Sequence, residues 1–138
     1  MRSTDHRGGV REDYRALTSR EREILEMLLA VDVPGIEELR AQVPYVKAAR
    51  WDCGCASFDL EVDRERAPRS SVTDTPTVEA FTKEQEDLNS SFDLLLWVRD
   101  GWLSGVEIVD YVDHHGEQSP EEIPPPGAWN KPRSRVAS

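Results

Sequence analysis

A chain of 138 residues, 38% of them hydrophobic, is long enough for one domain with a real core and too short for two comfortable ones. No apolar run approaches the ~20 residues of a membrane-spanning helix, and the opening MRSTDHRGGVRED has no apolar stretch of a secretory leader, so the sequence reads as cytoplasmic. A net charge of −10 repels phosphate backbones and argues against nucleic acid as a partner.

Residues 1–16 are polar and aperiodic, and are expected to form a disordered or weakly docked arm. Thr18-Ser19-Arg20-Glu21 then reads as a capping box that opens a helix, with Ile24, Leu25, Leu28 and Val31 recurring at helical spacing. Pro34 suits the first turn of a second short helix, whose buried stripe would be Ile36, Leu39 and Val43, and Pro44 stops it. From Tyr45 the period changes to two. A strand is expected over 45–50, then another in which Ala56, Phe58, Leu60 and Val62 face the core while Ser57, Asp59 and Glu61 face water. Residues 63–76, charged and holding Pro68 and Pro76, read as a surface loop, and a strand near 77–82 follows.

The stretch from Phe92 to Val112 carries the clearest signal. It reads as two apolar strands joined at Asp100-Gly101, a pair suited to the two positive-φ positions of a type I′ turn. With those residues as the turn, Arg99 faces Trp102, Val98 faces Leu103 and Leu94 faces Glu107. One face would hold Phe92, Leu94, Leu96, Val98, Leu103, Val109 and Tyr111, and the other Leu95, Trp97, Trp102, Val106 and Ile108. A hairpin apolar on both faces belongs at the centre of a sheet.

The expected fold is therefore α+β, with two N-terminal helices packed on one face of a four- to five-stranded, mainly antiparallel sheet. Residues 17–119 form the domain, and 120–138 form a Pro-rich extended segment and a disordered tail.

Candidate chemistry is sparse. Cys53, Cys55, His114 and His115 have the ligand types of a zinc site, but Cys-x-Cys and His-His chelate less comfortably than pairs separated by two residues. The alternative makes the cysteines small apolar residues at a Gly turn, reduced and without a metal. Glu107 is the one charge that this register puts on the Leu94 face, where a buried carboxylate would be an acid, a base or a ligand contact. Trp97 and Trp102 share the other face near the turn and are either core or a surface that holds a partner. No phosphate-binding loop, dinucleotide fingerprint, nucleophile elbow or HExxH motif is present.

Leu17 to Leu25, LTSREREIL, resembles the opening helix of LuxR-type helix-turn-helix domains. A basic recognition helix should follow, whereas residues 33–44 are Pro-bounded and acidic, so a capped amphipathic helix accounts for the match. On a wider span, LTSREREILEMLLAVDVPGIEELRAQV, WDCGCASFDLEVD, VRDGWLSGVEIVDYVD and EEIPPPGAW resemble a group of small actinobacterial proteins without assigned function. The hairpin is also similar to that of immunity proteins that neutralise toxins. These resemblances imply a fold and no reaction.

Charge is unevenly spread. Residues 23–130 hold 23 acidic and eight basic groups, flanked by mildly basic ends, a distribution suited to a basic protein partner. The expected function is a non-enzymatic protein-binding module without a cofactor. The alternative is a small-ligand or metal site built on Glu107 or on the Cys/His set.

Overall fold

The computed structural model describes residues 13–51, 56–72, 77–81, 92–110 and 123–134. Helix α1 (Ser19–Leu28) opens on the expected capping box: Thr18 Oγ1 accepts from the Glu21 amide at 3.1 Å, and Glu21 Oε1 accepts from the Thr18 amide at 2.9 Å. Arg15 adds a two-pronged contact to the same carboxylate, with its second nitrogen 2.9 Å from Oε2. That contact ties the segment before the helix to the fold, and Arg15 also bridges Ala48 through two backbone hydrogen bonds. The helices are thus not the first structured element of the chain.

Helix α2 (Ile36–Gln42) starts from Gly35, whose φ of 90° lies in the left-handed region. Ile36, Leu39 and Val43 are its buried stripe, as their spacing predicts, and Pro44 sits in a 3₁₀ turn, Val43–Tyr45, that ends it. Among the described residues, no helix is long and apolar enough to cross a membrane.

The class is α+β, and among the described residues the sheet has six antiparallel strands, one more than the largest number expected. In chain order these are β1 (Val46–Arg50), β2 (Phe58–Val62), β3 (Val78–Phe81), β4 (Phe92–Arg99), β5 (Trp102–Asp110) and β6 (Arg133–Ser134). Their spatial order is β1-β2-β5-β4-β3-β6, so the Asp100-Gly101 hairpin occupies the centre. The additional strand is β6, which pairs Arg133 with Glu79 and Ser134 with Val78. Two residues are too few to show an alternation in sequence. Their anchor is Trp129, only 3% exposed, whose indole donates to the Pro124 carbonyl at 3.0 Å.

Asp100 and Gly101 have φ of 54° and 89°, which makes the turn type I′. Beyond the turn the expected register fails. Val98 pairs with Leu103, but Trp97 pairs with Gly105, so a bulge at Ser104 shifts every later pair by one residue. Leu94 faces Ile108, and Glu107 faces Leu95. Val106 and Ile108 therefore join Leu94, Leu96, Val98 and Leu103 in the core with Ile24, Leu25, Leu28 and Leu39, while Glu107 and Val109 turn to the other face. An unpaired residue beside a glycine inside a strand is a usual place for such a bulge.

A second correction concerns β2. Asp59, placed on a wet face by its alternation, is 1% exposed, with the Trp51 indole bonded to its carboxylate.

Candidate functional site

The face of the sheet away from the helices holds most of the residues of interest. The bulge that moves Glu107 there sets it beside Trp97, whose indole N–H donates to Glu107 Oε1 at 2.9 Å. The carboxylate is half-buried and engaged, not an isolated acid in the core as the unbroken register predicts. The same indole–carboxylate pairing recurs on β2, where Trp51 Nε1 donates to Asp59 Oδ1 at 3.0 Å. On β3 the buried Glu79 lies 3.8 Å from the Arg133 guanidinium, which also stacks over the Phe81 ring at 5.3 Å.

These acids do not converge. Glu107 and Glu79 are separated by Leu95 on the intervening strand, two strand spacings or about 10 Å apart along the sheet. Among the described residues, no three Cys, His, Asp or Glu side chains are grouped to hold a metal. Cys53, Cys55, His114 and His115 lie outside the described residues.

The open surface is elsewhere, at the turn end of the hairpin. Strands β2 and β5 pair only through Phe58 with Val106 and Asp59 with Gly105, and then part. Gln42, fully buried on α2, stands at this parting. Its amide nitrogen donates to the Gly101 carbonyl at 2.8 Å and to the Pro68 carbonyl at 2.9 Å, and its oxygen accepts from the Leu103 amide at 2.9 Å. The start of β5 is thus bonded to the helix layer and the 63–72 loop rather than to β2. Ser70 completes the junction: its amide donates to the Gly101 carbonyl at 3.0 Å, and its hydroxyl donates to the Gly35 carbonyl at 2.7 Å.

A cleft of about 420 Å³ fills the parting, with Tyr14, Glu61, Arg64, Arg99, Trp102 and Ser104 in its walls. Arg64 is held by an Asx turn, in which Asp63 Oδ1 accepts from the Glu65 amide at 3.1 Å and the Asp63 carbonyl accepts from the Arg66 amide at 3.1 Å. That turn brings the Arg64 guanidinium over the Trp102 ring, 5.2 Å from its centroid. Arg99 stands directly across from Trp102 on β4. Tyr45, at 38% exposure the one large hydrophobic residue exposed among the described residues, is close by, since its carbonyl accepts from the Asp63 amide at 2.9 Å.

Of the residues singled out in the sequence, Trp102 belongs to this corner. Trp97 and Glu107 share its sheet face but are bonded to each other. Arg99 was legible as the cross-strand neighbour of Trp102. Arg64, Tyr14 and Gln42 were not, because they come from distant parts of the chain.

Two smaller clefts are more fully used by the fold. One, of about 370 Å³, lies at the start of α1 between Arg15, Arg20 and Arg50, where Glu21 takes Arg15 and the Ile123 carbonyl takes Arg20 at 2.7 Å. The other, of about 290 Å³, lies between α1 and the end of α2, where Arg40 bonds the Leu29 and Val31 carbonyls.

No protein-family model, curated protein or solved structure matches the chain.

Proposed function

We propose that the protein is a cytoplasmic, non-enzymatic protein-binding module, and that it binds through the corner where β2 and β5 part. The observation that carries this reading is the concentration of Trp102, Arg64, Arg99 and Tyr14 around an open cleft at one end of the sheet. Trp, Tyr and Arg are the residue types that dominate binding energy at protein interfaces, because they combine large contact area with a directional polar group. Here the tryptophan is half-buried, with the Arg64 guanidinium over its ring. Little side-chain freedom remains to be lost on binding.

The small-ligand reading on Glu107 is less well supported, since that carboxylate already takes the Trp97 indole.

Site-specific photo-crosslinking tests the proposal. A benzoyl-phenylalanine in place of Trp102, in cells of the native organism, should trap one protein in a defined adduct. The same group in place of Glu37, exposed on α2, should not. Equal adducts at both positions, or none at position 102, would refute the assignment of the corner.

A further inference from the structure

We infer that the corner recognises a carboxylate, carried by the partner as an acidic side chain or as its own C-terminus. This rests on the binding role proposed for the corner and specifies its chemistry.

The arginines of the structure divide cleanly. Arg15, Arg20, Arg22, Arg66 and Arg133 each meet a carboxylate, Arg40 and Arg69 bond backbone carbonyls, and Arg50 is engaged as well. Arg64 and Arg99 differ: among the described residues neither has a hydrogen bond to an oxygen or a carboxylate within 4 Å. Both line the same cleft, on either side of Trp102. In a chain with 27 acidic and 17 basic groups, two guanidiniums that find no anion beside an open cavity mark a site built for one from outside.

The geometry supports this in two ways. The contact with the Trp102 ring, 5.2 Å from guanidinium carbon to centroid, engages Arg64 without using a hydrogen-bond acceptor, so its N–H donors remain for a planar acceptor such as a carboxylate, which arginine binds through two parallel bonds. The type I′ turn fixes the end of β4 and hence the base of Arg99.

Charge selects the anion. Among the described residues Glu61 is the one carboxylate in the cleft wall, and the sum of that wall with Arg64 and Arg99 is +1, which a singly charged carboxylate neutralises and a phosphate dianion overfills. The described residues hold sixteen acidic and twelve basic groups, a net charge of −4.

Titration of the full-length ¹⁵N-labelled protein decides the matter. The indole N–H signal of Trp102, identified by its loss in Trp102→Phe, is followed with four probes. These are an acetylated and amidated tetraglutamate, an acetylated tetraglycine with a free C-terminus, an acetylated and amidated tetraglutamine, and inorganic phosphate. The expected result is a saturable shift with at least one of the first two and none with tetraglutamine. Whether tetraglutamate or free-ended tetraglycine binds tells a side-chain carboxylate from a chain terminus. Arg64→Gln and Arg99→Gln should each weaken that binding about tenfold, the loss of one charge-assisted contact, with the thermal melt unchanged because both side chains project from exposed positions. Saturation by phosphate alone, an equal response in the arginine variants, or no saturable shift would each overturn the inference. A specific crosslink at position 102 without carboxylate binding would leave the binding role standing and remove the carboxylate.

Discussion

Replacing Gln42 by methionine should destabilise the protein by about 2–3 kcal/mol, most of it from the single amide that loses its acceptor. The side chain is fully buried and makes three hydrogen bonds to three separate backbone positions. Methionine is close in volume, so the packing contribution is small. The Gly101 carbonyl keeps a second donor, the Ser70 amide at 3.0 Å. Pro68 is at an exposed position, where water can replace the lost donor. The Leu103 amide has no such recourse, since Leu103 is 2% exposed, and an orphaned buried N–H costs about 1–3 kcal/mol. In a domain of this size the change corresponds to a loss of roughly 6–12 °C in melting temperature. Gln42→Glu extends the test. It keeps an acceptor for Leu103 but turns a carboxylate oxygen toward the Gly101 and Pro68 carbonyls. Its protonated form retains a donor, so the folded state holds that proton more tightly than the unfolded chain. The penalty relative to the parent should therefore be smallest below about pH 4.3, the ordinary glutamate value, and grow as the pH rises above it. Urea unfolding of parent and variants at pH 4 and pH 7 measures both effects. A Gln42→Met midpoint within about 0.5 kcal/mol of the parent, the range of inconsequential surface changes, would show that the side chain does not hold the junction.

Two further substitutions probe the hairpin. Leu96→Asp puts an unpaired charge at a fully buried position on one of the two central strands, and the loss of several kcal/mol from a total of about 5–15 should unfold the protein; a melt within a few degrees of the parent, followed by circular dichroism, would contradict the central placement. Gly101→Val should cost more than 2 kcal/mol, about 1–2 for the left-handed backbone and the rest because any Cβ there would lie 2.4 Å from the Ser70 carbonyl oxygen. The unfolding midpoint reads this directly, and an unchanged value would mean that the 63–72 loop does not press on the turn.

What could be read from the sequence, and what could not, follows from the range of the interactions involved. The Thr18 capping box, the Ile36-Leu39-Val43 stripe and the Asp100-Gly101 turn are each specified by residues within a few positions of one another, and each forms as its pattern predicts. The bulge at Ser104 was half visible: Ser-Gly inside an apolar strand is a known signal, but alternation counted through it inverts every later residue. Glu107 was misplaced for that reason alone. The junction at Gln42 was invisible. A glutamine on a seven-residue helix looks like any solvent-facing position until the fold brings Pro68, Gly101 and Leu103 around it. The corner at Trp102 was invisible for the same reason, since Arg64 reaches it only because an Asx turn follows β2.

The junction and the corner are one device. A strand pair that zips along its full length presents no opening, because each ladder position removes a backbone donor and acceptor from solvent. Here β2 and β5 stop pairing after Asp59 and Gly105, and the beginning of β5 turns instead to Gln42. That exchange keeps the Leu103 amide satisfied while leaving Trp102 and Ser104 on the wall of a cleft rather than inside a ladder. The bulge serves the same end, since it returns Val106 and Ile108 to the core after the strand has been bent away from its neighbour. A fully paired sheet would be the simpler solution for stability. Two local departures from it, the parting of β5 from β2 and the bulge at Ser104, together leave one surface open.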